Sequence, residues 1–207
     1  MTPELSHVHG PGKEDCPKSA CYRSLACPGA DQAWGLGRYS IEAAGDSFFG
    51  SLVHDLKYEL PSHVGTQRKL DTLAEQVSKF LRIKEQATFD RCVIVAGNRS
   101  SEDPIMLSVA RRLKDMALVD TYELLLKNAE IPAMKGIDRS ARALAISGKY
   151  RLAADFPRHV SKRVLVLDDV YDSGATLSEA VATVRSAAPD TYIVAIAATY
   201  LRDPRWN

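Results

Sequence analysis

The chain has 207 residues and nearly balanced charge, with 27 lysines and arginines against 26 aspartates and glutamates and a net charge of +1. Apolar residues make up 45% and charged residues 26%, which is ordinary for a globular protein with a well-buried core. This charge gives no support to nucleic acid as the main partner, although a protein or nucleic-acid partner stays open, and no apolar run is long enough to span a membrane.

The first part of the chain differs in composition from the rest. Positions 1–37 are rich in Gly, Pro, Cys and polar residues without a regular apolar period, which predicts a tail or a small module before a domain at 38–207. Three thiolates with one histidine could hold Zn²⁺, and the alternative is reduced cysteines in a tail. The candidate ligands are Cys16, Cys21 and Cys27 with His7 or His9. No secretory signal is visible, so we expect a cytoplasmic location.

The remaining chain alternates between helical and strand-like patterns. Apolar residues recur every three or four positions at 67–81, which predicts an amphipathic helix, whereas 47–60 fits either a helix or a strand. Strand-length apolar runs follow at 92–97, 119–126, 163–170 and 191–200, with helical patterns at 100–117 and 176–188. A long loop is predicted at 127–142 and an extended segment at 144–152. Such alternation predicts an α/β fold with an open, mostly parallel sheet.

The stretch VLVLDDVYDSGATL, residues 164–177, joins a buried strand to a helix start. Backbone N–H groups at a helix start lack intrahelical partners and, together with the helix dipole, favour anions. Small residues let an anion approach the backbone, and two hydroxyls add further donors. The predicted phosphate-binding residues are Asp172, Ser173, Gly174, Ala175 and Thr176.

The adjacent aspartates Asp168 and Asp169 at the end of this strand would repel a phosphate. They are suited to accept hydrogen bonds from neutral hydroxyls, or to hold Mg²⁺ directly or through water. A ribose 5-phosphate, with vicinal hydroxyls near a phosphate, would satisfy both halves of the stretch. A Walker B strand would need a glycine-rich Lys-Ser or Lys-Thr loop that the sequence lacks, and a helix cap would need only one aspartate.

The same stretch resembles the phosphoribosyl-pyrophosphate (PRPP) motif of type I phosphoribosyltransferases, in which four apolar residues and two acids precede a loop ending in Gly-x-Thr. The flanking segments LVHDLKYEL, at 52–60, and KGIDRSARALAISGKY, at 135–150, are similar to segments of the ComF-like family, also described as amidophosphoribosyltransferase-like or competence-associated. The resemblance covers roughly 39–202 and implies the type I phosphoribosyltransferase fold, an open, mostly parallel sheet with helices on both faces.

The resemblance implies that the chain binds PRPP with Mg²⁺ and transfers the phosphoribosyl group to a nitrogen nucleophile, a base or an amine, with release of pyrophosphate. Asp168 and Asp169 would bind the ribose hydroxyls, the loop at 172–176 would bind the 5′-phosphate, and Asp172 would act as acid or base near the acceptor. The candidate pyrophosphate loop is Ala96, Gly97, Asn98 and Arg99, and the candidate flexible-loop residues are Lys135, Arg139 and Arg142.

Two alternative functions stay open. The segment VAGNRSSEDPIMLSVA, at 95–110, replaces the proline-rich loop and Gly-Phe-Asn-Gln segment usual in the family, which favours a non-catalytic sensor of PRPP or a nucleotide that regulates a partner. A third function is an accessory role in DNA uptake or nucleic-acid metabolism, as in competence-associated proteins. The near-neutral net charge does not support that role.

Overall fold

The computed structural model describes residues 22–41, 45–46, 48–58, 63–95, 105–127, 137–138, 141–153, 156 and 162–201. In chain order the elements are β1 (Arg23–Ser24), β2 (Gln32–Gly35), β3 (Ser40–Ile41), β4 (Gly45–Asp46), α1 (Phe48–Tyr58), α2 (His63–Lys84), β5 (Phe89–Ile94), α3 (Ile105–Asp115), β6 (Val119–Leu124), β7 (Leu126–Lys127), α4 (Arg142–Ile146), β8 (Tyr150–Arg151), β9 (Arg163–Tyr171), α5 (Ala175–Ala187) and β10 (Tyr192–Tyr200).

The central sheet has the strand order β1-β2-β10-β9-β5-β6. All neighbouring pairs are parallel except β1 with β2, which is antiparallel at the edge. From β5 the chain goes outward to β6, then returns to β9 on the other side of β5 and continues to β10. The strand order therefore reverses between β5 and β9, and open α/β sheets form their binding crevice at the carboxyl ends of the strands at such a point.

Helices cover both faces of this sheet because its middle strands are apolar on both sides. Along β9, Leu165 and Leu167 point into a core formed with α1, α2 and α3, while Val164 and Val166 point into a second core formed with α4 and α5. Successive side chains of a strand face opposite ways, so a strand buried on both faces must be continuously apolar. The predicted open, mostly parallel α/β fold is confirmed.

Several predicted elements are confirmed, and two are wrong in detail. The predicted helix at 67–81 lies within α2, and the runs at 163–170 and 191–200 form β9 and β10. The segment at 47–60, for which helix and strand were equally favoured, contains α1. The stretch 144–152, predicted to be extended, instead holds the end of α4 and the strand β8. The helix predicted at 100–117 ends earlier, at Asp115, and Ala117 lies beyond it, exposed, with φ of 56°.

The N-terminal segment contributes to the sheet. Residues 1–37 were expected to lie outside the main domain, but the described part of that segment includes β1 and β2. Gln32–Gly35 pairs in parallel with Val194–Ala197 of β10, and Tyr22 and Leu36 are buried in the first core. The strand β2 could not be recognised in the sequence, because QAWG is short and only alternate residues of it are buried. No helix in the described ranges is long and apolar enough to cross a membrane.

Candidate functional site

A cleft of about 440 Å³ opens at the carboxyl end of β9. Its walls include Lys57 and Tyr58 from α1, Arg142 from α4, Asp168 from β9 and the loop 172–176. Asp168, one of the two predicted hydroxyl-binding residues, and the predicted phosphate-binding residues therefore meet at one crevice, together with one of the three predicted flexible-loop residues. Asp169 is not among the lining residues, but it forms an ion pair with Lys57, which is. The cleft lies where the strand order reverses, which is the position that the fold favours for a ligand.

The strand that leads toward the candidate pyrophosphate loop, β5, ends beside Asp168. Ile94 of β5 lies opposite Leu167 of β9, and the N–H of Val95 donates to the Leu167 carbonyl at 3.0 Å. The chain therefore leaves β5 next to Asp168. Ala96, Gly97, Asn98 and Arg99 themselves lie outside the described residues, as do Lys135 and Arg139.

Asp168 is a buried carboxylate in the last part of β9, with only 8% of its surface exposed. Its Oδ1 accepts the N–H of Asp169 at 2.8 Å. Burial, with the negative charge of Asp169 as a second cause, raises the pKa of Asp168 from 3.8 to about 8, while that N–H and Lys57 act in the opposite direction. Burying an acid in this way is costly for the fold. Acids with pKa values raised by burial in a cleft are typical of functional sites.

Asp169 is held by two contacts from other elements. Its Oδ2 forms an ion pair with Nζ of Lys57, in the last turn of α1, at 2.7 Å. Its backbone carbonyl accepts the hydroxyl of the buried Thr199, on the neighbouring strand β10, at 2.9 Å. Sequence reasoning did not single out Lys57. The available signal was its place in LVHDLKYEL, but a lysine near the end of an amphipathic helix is usually explained by solvation and by the helix dipole.

The loop before α5 makes a tight turn that depends on Gly174. This residue has φ of +79° and precedes the helix as its N-cap. A Cβ at Gly174 would lie 2.7–2.8 Å from the hydroxyl and ring of Tyr171. The buried Tyr171 donates its hydroxyl to the Ala26 carbonyl at 2.8 Å. The turn is therefore packed against a side chain that the N-terminal segment holds in place.

Asp172 and Arg142 form an ion pair through Oδ2 and Nη1. The Nε of Arg142 also donates to the Ile137 carbonyl at 3.2 Å. Both side chains line the cleft. The structure thus brings a predicted flexible-loop arginine to the carboxylate that was predicted to serve the acceptor.

Cys27 is the one candidate zinc ligand among the described residues. It is buried in the second core, and the hydroxyl of Ser178 in α5 donates to its Sγ at 3.9 Å. Burial raises the pKa of the Cys27 thiol to about 11, which favours the neutral form over the thiolate that zinc binds. His7, His9, Cys16 and Cys21 lie outside the described residues, so the zinc site stays a prediction.

Comparison with known proteins finds a similar solved structure but no relative by sequence. No protein-family model matches the chain, and no curated protein matches its sequence. Among solved structures, the chain is similar to a purine phosphoribosyltransferase from Pyrococcus horikoshii Ot3, with 16% sequence identity and a TM-score of 0.37. The match covers 64% of this chain and 80% of the other. We therefore base the function on the geometry of the cleft.

Proposed function

We propose that the chain binds the ribose 5-phosphate part of PRPP in this cleft and transfers it to a nitrogen nucleophile with release of pyrophosphate. The observation that carries the proposal is the buried acid Asp168, set beside Asp169 at the end of β9. Six residues after Asp169, the start of α5 at Ala175 favours a group of the opposite kind, an anion. One end of the cleft favours neutral hydroxyls and the other favours an anion.

The two ends suit different groups for electrostatic reasons. A phosphate beside Asp168 and Asp169 would meet the carboxylate of Asp169, and like charges at contact distance repel. Its charge would also disfavour ionisation of the buried Asp168 further. At the start of α5 the first-turn N–H groups lack intrahelical partners, and together with the helix dipole they attract a phosphate. Ser173 and Thr176 border the cleft there and can donate hydroxyls. A sugar phosphate with adjacent hydroxyls matches this order of groups.

The reaction would break the bond between C1 of the ribose and pyrophosphate and form a bond from C1 to the nitrogen of the acceptor. Its transition state would be oxocarbenium-like, so positioning and electrostatic stabilisation would contribute more than a protein nucleophile. Asp172 would accept the proton that the acceptor loses, which requires Arg142 to release its carboxylate. The carboxylates of Asp168 and Asp169 are oxygen donors that suit Mg²⁺, and this ion would neutralise charge on the leaving pyrophosphate.

A sensor of PRPP that does not turn it over is the second candidate. The ion pair between Arg142 and Asp172 favours it, because the carboxylate proposed as acid or base already has a cationic partner. The segment at 95–110 also favours a sensor, because it lacks the proline-rich loop and the Gly-Phe-Asn-Gln segment of the family that the sequence resembles. In that case binding of PRPP would alter contacts with a partner instead of starting a reaction.

A screen of nucleobases and amines with PRPP and Mg²⁺, followed by pyrophosphate release, separates these functions. We expect at least one acceptor to give release with the wild type and none with the double variant Asp168→Asn/Asp169→Asn. Binding of PRPP without release for any acceptor would favour the sensor. Absence of both binding and release would overturn the proposal.

A further inference from the structure

We propose that Lys57 is a positioning residue of the sugar site: its ion pair fixes the Asp169 carboxylate and thereby sets the preference for ribose over 2-deoxyribose. This inference rests on the proposed function and adds to it a residue and a specificity. Lys57 lines the cleft, and its Nζ lies 2.7 Å from Oδ2 of Asp169.

Stability alone does not account for this ion pair. The side chains of Lys57 and Asp169 are 27% and 25% exposed, and ion pairs this open to solvent contribute little to the free energy of unfolding. The pair also joins the last turn of α1 to the end of β9, two elements that meet at the cleft. The position of the ion pair is therefore better explained by its effect on the orientation of the Asp169 carboxylate.

The geometry assigns the two carboxylates different restraints. Asp168 is fixed from the protein side, because its Oδ1 accepts the N–H of Asp169 at 2.8 Å. The Asp169 side chain has Lys57 as its cationic partner, while Thr199 holds only the backbone carbonyl. Without the ammonium, the Asp169 carboxylate would lose the cationic contact that holds it at the edge of the cleft, and it could turn toward solvent. Two vicinal hydroxyls need two fixed acceptors. Loss of one acceptor therefore lowers the affinity for a ribose more than the affinity for a 2-deoxyribose, which has only one of the two hydroxyls.

An ion pair between α1 and the neighbouring helix α2 provides the control. Lys69 of α2 pairs with Asp55 of α1 at 2.9 Å, and the two side chains are 33% and 26% exposed. This pair has the same chemistry and similar exposure, but neither residue lines the cleft. Lys69→Met therefore removes a lysine from a helix, as Lys57→Met does, without changing a contact of Asp168 or Asp169.

The test measures binding of ribose 5-phosphate, 2-deoxyribose 5-phosphate and inorganic phosphate by calorimetry. We expect the wild type and Lys69→Met to bind ribose 5-phosphate at least about tenfold more tightly than the deoxy compound, the effect of one charge-assisted hydrogen bond. In Lys57→Met the ratio should fall to about two or less, with the affinity for inorganic phosphate changed by less than about threefold. Lys57→Arg, which keeps the charge, should restore most of the ratio.

A double variant shows whether Lys57 acts through Asp169. If it does, Lys57→Met/Asp169→Asn binds ribose 5-phosphate no more weakly than Asp169→Asn alone, because coupled residues are not additive. Additive losses, or a Lys57→Met variant with the wild-type sugar preference, would overturn the inference while leaving the proposed function intact. A wild type that binds none of the sugar phosphates would overturn both.

Discussion

Arg142 and Asp172 form an ion pair that joins the start of α4 to the loop before α5. Both residues line the cleft that also contains Asp168. The guanidinium therefore lies at the loop expected to hold the 5′-phosphate, and its Nε also donates to the Ile137 carbonyl, which precedes α4. A ligand with more negative charge than the Asp172 carboxylate can therefore replace it as the ion-pair partner of Arg142.

Replacing Arg142 should weaken binding of PRPP more than binding of ribose 5-phosphate. We expect Arg142→Met to lower the affinity for PRPP by roughly tenfold or more, the effect of losing a hydrogen bond to a charged group, because the pyrophosphate is the extra anion. Ribose 5-phosphate affinity should change by less than about threefold. Arg112→Met is the control, since Arg112 is similarly buried and pairs with Asp71 outside the cleft. Equal losses for both ligands would contradict this role.

Adding one methyl group at Gly174 should damage both stability and phosphate binding. The residue has φ of +79°, and a Cβ would overlap the Tyr171 ring. Gly148 is a matched control, because it has φ of +68° with nothing within 4 Å of an added Cβ. We expect Gly148→Ala to cost only about 1–2 kcal/mol of backbone strain. Gly174→Ala should cost more, and it should abolish binding of inorganic phosphate; equal melting temperatures for the two variants would contradict the packing described here.

The free energy of unfolding should depend on pH through Asp168. Its pKa is raised in the folded state, so the unfolded chain releases this proton at lower pH than the folded chain does. The wild type is therefore progressively penalised as pH rises from about 4 toward the raised pKa, and the full penalty remains above it. Asp168→Asn removes the penalty. We expect the variant to melt higher than the wild type at pH 8.5, by roughly 2–4 °C for each kcal/mol relieved, with little difference at pH 4.

A difference in melting temperature that is independent of pH would show that the Asp168 carboxylate does not titrate as described. Asp55→Asn provides a control on another acid, because Asp55 pairs with Lys69 near the surface and not in the cleft. It should show no gain of stability at pH 8.5.

Cys27 should resist alkylation in the native protein at pH 7.5. Its thiol is buried, and its pKa is raised to about 11 by that burial, so little thiolate is exposed to a reagent. Mass spectrometry after iodoacetamide treatment, with and without a strong zinc chelator, measures this residue directly. Resistance under both conditions would assign the protection to burial. Reactivity that appears only after chelation would instead show that Cys27 is a zinc ligand.

The strands and helices that flank the site could be read from the sequence because their patterns are local. Residues 163–170 are a continuous apolar run ending in acids, and this run forms β9 with its cores on both faces. The helix start at Ala175 follows from the small and hydroxylated residues before it. Short elements such as β2 and α4 were missed because a few residues carry too little periodicity to outweigh tertiary contacts.

The contacts that complete the cleft could not be predicted because they join distant parts of the chain. Lys57 and Asp169 are far apart in sequence, and nothing in either segment specifies that α1 ends above β9. The same applies to Tyr171, whose hydroxyl binds the Ala26 carbonyl in a segment that the composition favours as a tail. Sequence patterns identified which residues carry the chemistry, whereas their counter-ions and supports depend on packing.

Calorimetric titration with PRPP and Mg²⁺ tests the central claim most directly. The account predicts binding by the wild type and a loss of at least about a hundredfold in Asp168→Asn/Asp169→Asn, because each side chain keeps only one acceptor oxygen for the ribose hydroxyls and Asp169 also loses its charge. The wild type and the double variant should give the same circular dichroism spectrum. Equal affinity of the wild type and the double variant would contradict the assignment of this cleft to a ribose phosphate.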